Sequence, residues 1–365
     1  MRFVRTDELT KGMRLAKPIY NKNGVLLYDR DTKLTKQGIN SIKNFKLIGI
    51  YILEPAEPLP PMSEDDVEYE RFQTMSVFGL KEALDEIMRG NKPANMYNLV
   101  KMLVKKYAKR SEKINVIQNV RSSDDYVYKH SINVATLAAL MGARLRISVE
   151  DMRDMVTAAL IHDMGRLYIE SDILEKEEYQ EGDISYMENC EARGNKELLD
   201  MPFFNDNVKK LIEQKYHLQT DESIISEDEH YVQCARILQI AEKYDDMTSM
   251  KLGEEPTSDI VAVRELLSNQ DRYDRKIIAA LMDSLKLLIA GTCVELNDKK
   301  CGIVIRANNE DVFKPMVLCF HDNMLYDFED KSIMSNFEIR DIMKTMDERV
   351  KIDPATIQEY MKRYN

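Results

Sequence analysis

Tryptophan is absent from the sequence, and histidine occurs only 5 times in 365 residues. Without tryptophan, other side chains must fill the largest gaps of the core. The 22 methionines suit this role because their unbranched thioether chains adapt to irregular spaces. The scarcity of histidine narrows the search for a metal site, since imidazole is the commonest transition-metal ligand.

Long apolar runs are absent as well. The longest stretches, such as "LKLLIAGTCV", are far shorter than a membrane span, and the first residues, "MRFVRTDELTKG", lack the apolar centre of a signal peptide. The 5 cysteines lie far apart and form no CxxC pair, a pattern typical of reduced thiols. These absences predict a cytoplasmic protein that does not bind membranes.

The sequence also lacks an excess of positive charge. Its formal net charge is −11, and its isoelectric point is near 5.2. Phosphate backbones attract surfaces rich in lysine and arginine, so this balance argues against a general nucleic-acid-binding protein. It remains compatible with a small phosphate ligand held in a local pocket.

The spacing of apolar residues changes twice along the chain. Short β-type runs and an Asn23-Gly24 hairpin signal precede a proline-rich, acidic stretch, "EPAEPLPPMSEDD". Apolar residues then recur at helical spacing, and β-rich runs return after Gly291. We therefore predict a mainly α protein, in which a helical domain is flanked by small β-rich N- and C-terminal domains. The predicted parts are a β-rich domain (1–55), a linker with leading helices (56–114), the helical domain (115–289), a second β-rich domain (290–352) and a C-terminal helix (353–365).

Side chains of metal-ligand type occur on three apolar helices of the central part. His162 and Asp163 end the run "AALIHD", and His130 lies in "YKHSINVATLAAL". Glu242 and Asp245 lie in "IAEKYDD", on a helix where an unpaired carboxylate would be costly to bury. A lone His-Asp pair is often only the polar end of a helix. Ligand-type residues on three such helices favour a shared metal site instead.

Three segments carry a family resemblance: "YVYKHSINVATLAALMG", "AALIHDMGRLYI" and "ARILQIAEKYDDMTS". In this order they resemble the HD superfamily of metal-dependent phosphohydrolases, and more closely its HD-GYP branch of cyclic di-GMP phosphodiesterases. The resemblance implies a divalent metal ion (Fe, Mn or similar) and a phosphoester or cyclic dinucleotide ligand. It also implies catalytic roles for Asp163 and Arg166. The implied metal ligands are His130, His162, Asp163, His217 and Glu242.

The chain departs from the family pattern around a second metal position. Arg166 stands in place of a lysine that contacts the substrate phosphate, and Cys190 and Tyr216 stand in place of histidines. The stretch "TDESIISEDEH" lacks the glycines and the proline of the GYP loop, although Asp221 keeps an acidic position. Glu242 replaces an aspartate and is one methylene longer. The pattern therefore predicts one metal position, and it makes ion binding at the second position doubtful because two histidine ligands are replaced there.

Two functions are consistent with these features. One is a signalling phosphodiesterase with reduced or altered activity toward cyclic di-GMP. The other is a catalytically inactive regulatory protein that binds a ligand or a protein partner, the partner through the β-rich domains. Two side chains also keep two interpretations: Cys190 as a metal thiolate or a core thiol, and Arg166 as a phosphate-binding residue or a helix cap.

Overall fold

The computed structural model describes most of the chain. The described residues are 2–20, 25–44, 49–53, 64–108, 110, 112–114, 126–174, 176, 178–219, 229–249, 256–308, 310–342, 359–360 and 362–363. Four features singled out in the sequence lie wholly or mostly outside them: the Asn23-Gly24 turn, the proline-rich stretch up to its last three residues, the acidic loop with Asp221 and the C-terminal helix.

In its described residues, the N-terminal part contains a small antiparallel sheet, a separate pair of strands, a short 3-10 helix (Thr6–Glu8) and one α-helix. Its elements are, in order, β1 (Arg2–Arg5), β2 (Arg14–Leu15), β3 (Ile19–Tyr20), β4 (Leu26–Tyr28), α1 (Lys36–Asn44) and β5 (Gly49–Leu53). The sheet has the order β1-β5-β2, while β3 and β4 pair with each other on either side of the predicted hairpin turn. Ile39 and Ile42, about one helical turn apart on α1, are buried in the same small core as Leu15 and Ile52.

The central part is helical. α4 is its central helix, because it is buried along nearly its whole length and packs against both α5 and α9. None of the helices that the structure describes is both long and apolar enough to cross a membrane. The elements are α2 (Glu64–Met88), α3 (Met96–Tyr107), α4 (Tyr126–Arg144), α5 (Val149–Ile161), a 3-10 helix (Met164–Tyr168), α6 (Ser171–Leu174), α7 (Glu181–Asp200), α8 (Asp206–Gln219), α9 (Glu229–Thr248), α10 (Asp259–Ser268) and α11 (Arg275–Met282).

The C-terminal part is an antiparallel sheet with the strand order β10-β6-β7-β8-β9. Val294, Val304 and Val317 belong to the same apolar core as the helices, whereas Ile303 and Leu318 belong to a second, small cluster. The predicted fold class, mainly α with small β-rich parts at both ends, is confirmed. The elements are β6 (Cys293–Leu296), β7 (Cys301–Arg306), β8 (Met316–Cys319), β9 (Leu325–Asp327), α12 (Lys331–Met334) and β10 (Ile339–Ile342).

Two glycines allow the 3-10 helix to lie directly on α7. A Cβ atom at Gly194 would come within 2.2 Å of the Gly165 Cα atom, and one at Gly165 would come within 2.6 Å of the Glu191 Cα atom. These neighbours are backbone atoms, which cannot move aside as a flexible side chain can. Glycine at both positions therefore allows the chain to take this path just after His162 and Asp163.

Candidate metal centre

Three of the predicted ligands meet at the centre of the helical domain. His130 lies on α4, His162 follows the last residue of α5, and Glu242 lies on α9. One donor atom from each lies within 4.8 Å of the other two. The three residues are only 2%, 7% and 9% exposed, so the group is held inside the protein. Two imidazoles and a carboxylate form a donor set suited to a divalent transition metal.

His162 presents one ring nitrogen to this group. Its Nδ1 atom donates a hydrogen bond to the carbonyl oxygen of Ala159 at 2.7 Å. Its Nε2 atom is buried without a hydrogen-bond partner and lies 3.7 Å from Oε1 of Glu242. Burial, and next the positive charge of Lys215, lower the pKa of His162 well below its ordinary value. The ring is therefore neutral, which is the form that binds metal.

His130 is held by a carboxylate on the neighbouring helix. Its Nδ1 atom lies 2.7 Å from Oδ2 of Asp245, which is fully buried and also accepts a hydrogen bond of 2.7 Å from Asn133. Burial by itself would lower the pKa of His130, but the hydrogen bond and charge of Asp245 outweigh it and raise the pKa. This contact leaves Nε2 as the ring nitrogen available to an ion, so Asp245 would orient the ring rather than compete for a metal.

Asp163 and Arg166 lie beside the three donors. Oδ2 of Asp163 is a buried oxygen without a hydrogen-bond partner, 3.6 Å from Nε of Arg166. The Arg166 side chain is 31% exposed, and its guanidinium lies 5.6 Å from the ring centre of Tyr126 and 3.8 Å from Glu191. The charge of Asp163 is the main cause that raises the pKa of Arg166 above its ordinary value. Arg166 therefore places a partly exposed positive charge next to the donor group.

The structure does not bring His217 or Cys190 into the donor group that it describes. His217 is partly exposed on α8, and its ring lies edge-on to Tyr216 with 6.2 Å between ring centres. The Cys190 thiol is buried on α7 and contacts the carbonyl oxygen of Tyr168 at 3.8 Å, in agreement with a core thiol. Metal ligation by Asp163 and by His217 stays a prediction from the sequence.

Lys215 was not among the residues predicted from the sequence. Its side chain is 8% exposed, and its Nζ atom lies 2.8 Å from both carboxylate oxygens of Glu242. The sequence does indicate that Lys215 is buried, because it continues the apolar stripe of α8 at helical spacing. The preceding residues of the stripe are Val208, Leu211 and Ile212. A lysine in such a stripe must find a buried partner.

Comparison with known proteins identifies the family of the helical domain. The family of HD domains (HD_5) matches residues 96–277, about half of the chain. The chain belongs to the HD superfamily. The match contains His130, His162 and Glu242, so the three residues that meet in space also lie within the region that the family model matches.

A curated relative agrees with the branch that the motifs predicted. Cyclic di-GMP phosphodiesterase PA4108 of Pseudomonas aeruginosa is 22% identical over 205 residues, which is 55% of this chain and 49% of that protein. The matched region thus spans about half the length of the relative. The resemblance to the HD-GYP branch is confirmed. Among solved structures, Bd1817, a HDG"Y"P protein from Bdellovibrio bacteriovorus, shares 15% identity at a TM-score of 0.48, over 77% of this chain and 98% of that chain.

Proposed function

We propose that the HD domain binds one divalent ion, Fe, Mn or similar, through His130, His162 and Glu242, with Asp163 as a further ligand. The buried Nε2 atom of His162 carries the proposal. It has no hydrogen-bond partner, and leaving such an atom buried is costly unless something binds it. Oδ2 of the adjacent Asp163 is likewise buried without a hydrogen-bond partner. A metal ion is a ligand that satisfies imidazole nitrogen and carboxylate oxygen together.

The substrate class that we propose is a phosphoester, with cyclic di-GMP as the first compound to test. A bound ion would polarise the phosphate and lower the pKa of a water ligand. Arg166 keeps a positive charge beside the ion position, and a guanidinium binds two phosphate oxygens at once. The curated relative, whose name describes a cyclic di-GMP phosphodiesterase, supports the choice of compound.

We propose that hydrolysis of cyclic di-GMP is reduced. Two ions can stabilise both the attacking and the leaving oxygen of a phosphodiester, an advantage that a single ion lacks. In the described part of the chain, Cys190 and His217 lie outside the donor group, and the position beside Glu242 holds the ammonium of Lys215. These observations support one ion and disfavour a second.

Incubation of the purified, Mn²⁺-loaded protein with cyclic di-GMP tests the proposal. We expect no turnover or slow turnover, and any slow activity should disappear in Asp163→Ala. An exposed-site variant, His321→Ala, is the matched control and should behave like the unmodified protein. Rapid, steady hydrolysis that requires Asp163 would show that the departures from the family pattern do not impair the enzyme.

A non-hydrolytic regulatory role is the second candidate, and the buried Lys215–Glu242 pair favours it. In that role the domain would bind a cyclic dinucleotide or a protein partner without cleaving anything, and the β-rich parts would be the partner-binding surfaces. Titration calorimetry with cyclic di-GMP, followed by prolonged incubation with the Mn²⁺-loaded protein, distinguishes the candidates: saturable binding with no cleavage favours the regulatory role, whereas slow cleavage that requires Asp163 favours the phosphodiesterase. We further propose a cytoplasmic location, on the basis of the scattered cysteines without a CxxC pair.

A further inference from the structure

We infer that Lys215 is an internal competitor of the metal ion. Its ammonium group holds Glu242 in the metal-free protein and must leave the carboxylate before Glu242 can join the ligands of an ion. The inference rests on the proposed function, since it concerns the same ion. It adds a determinant of metal affinity that lies outside the motifs of the sequence.

The geometry places the ammonium against the carboxylate of Glu242, with a hydrogen bond to one of its oxygens. Nζ of Lys215 lies 2.8 Å from Oε1 and 2.8 Å from Oε2 of Glu242. Oε1 is also the oxygen that lies 3.7 Å from Nε2 of His162, the nitrogen aimed into the donor group. The ammonium of Lys215 and a metal ion would therefore both bind Oε1 of Glu242, and both would approach it within the same buried space.

The electrostatics explain why a cation is needed there at all. The side chain of Glu242 is only 12% exposed, and an ionised carboxylate with so little solvent is costly unless a positive group lies beside it. Burial raises the pKa of Glu242, and the charge of Lys215 is the first influence that opposes this rise. The ammonium thus performs, in the metal-free protein, the neutralisation that a divalent ion would otherwise supply.

The same charge opposes entry of the ion. A divalent ion among His130, His162 and Glu242 would lie within a few ångströms of a buried ammonium, where repulsion between like charges is weakly screened. The lysine stem is long and flexible, so Nζ is able to withdraw from the carboxylate. Metal binding then includes the cost of breaking a buried ion pair, and the affinity falls accordingly.

Lys215→Met is the variant that tests the inference, because methionine keeps an unbranched chain of similar size and removes the charge. Mn²⁺ binding is measured by titration calorimetry, and the melting temperature is measured with and without Mn²⁺. We expect the variant to bind Mn²⁺ at least about tenfold more tightly, to melt at a lower temperature without metal and to recover when Mn²⁺ is added. Lys210→Met removes an exposed charge from the same helix and should change neither quantity.

Each outcome decides one question. If Lys215→Met and the unmodified protein bind Mn²⁺ with equal affinity, the competition is wrong while the proposed metal site stands. If the unmodified protein binds no Mn²⁺ and Lys215→Met binds it, the competition stands and the proposed function fails for the natural chain. If neither protein binds Mn²⁺, both ideas fail.

A folding control completes the test. The double variant Lys215→Met/Glu242→Gln removes both buried charges and should fold without metal. If it folds while Lys215→Met fails to fold even with Mn²⁺ present, an ion cannot replace the ammonium, and the inference is overturned.

Discussion

Replacing Asp245 by alanine is expected to destabilise the protein by about 3–5 kcal/mol, because two buried donors lose their acceptor at once. The carboxylate accepts hydrogen bonds from Asn133 and from Nδ1 of His130, each at 2.7 Å, and it is fully buried. Alanine leaves no polar atom to replace these contacts. Urea unfolding, followed by circular dichroism, measures the loss.

The same variant should also weaken metal binding. Asp245 orients the His130 ring, and loss of such an orienting partner typically lowers metal affinity by about 10–100-fold. Asp271→Ala, which removes an exposed carboxylate, is the control and should alter neither stability nor affinity. A change in stability below about 1 kcal/mol for Asp245→Ala would mean that the contact with His130 is not a structural part of the centre.

Gly194→Ala is the second variant with a large expected effect. The added Cβ atom would lie 2.2 Å from the Cα atom of Gly165, so α7 and the 3-10 helix must move apart. Alanine is usually the better helix former by about 1 kcal/mol, but overpacking against a rigid backbone costs about 1–3 kcal/mol or more and outweighs this gain. We therefore expect a net loss of stability in urea unfolding.

Gly182→Ala is the matched control on the same helix. A Cβ atom at Gly182 would meet nothing within 4 Å, so this change should leave stability unaltered or raise it slightly. If Gly194→Ala proved as stable as Gly182→Ala, the close contact between the two glycines would not be a feature of the folded protein in solution.

The fold was predictable from the sequence because its signals are local. The change from alternating to helical spacing marks the two β-rich ends, and the repeating apolar residues of α4 identify a buried helix. The grouping of His130, His162 and Glu242 was predictable as well, since each is a ligand-type residue on, or at the end of, an apolar helix.

Other features depend on how distant segments pack, and no local pattern contains them. Gly165 and Gly194 come together only because the 3-10 helix crosses α7, so neither glycine alone indicates a close contact. The role of Lys215 depends on the carboxylate of Glu242, which comes 27 residues later in the sequence. Burial of Lys215 could have been predicted from the stripe of α8, but its partner could not, because helical spacing says nothing about which helix lies opposite.

The metal content of the purified protein tests the central claim, a single-ion HD-type centre, most directly. The protein is incubated with excess Mn²⁺ or Fe²⁺, and the free ion is removed. Elemental mass spectrometry then gives the number of bound ions per chain. We expect one ion per chain, and His162→Ala should lose it because the buried Nε2 atom would be gone. No ion or two ions per chain, or an unchanged content in His162→Ala, would contradict the account.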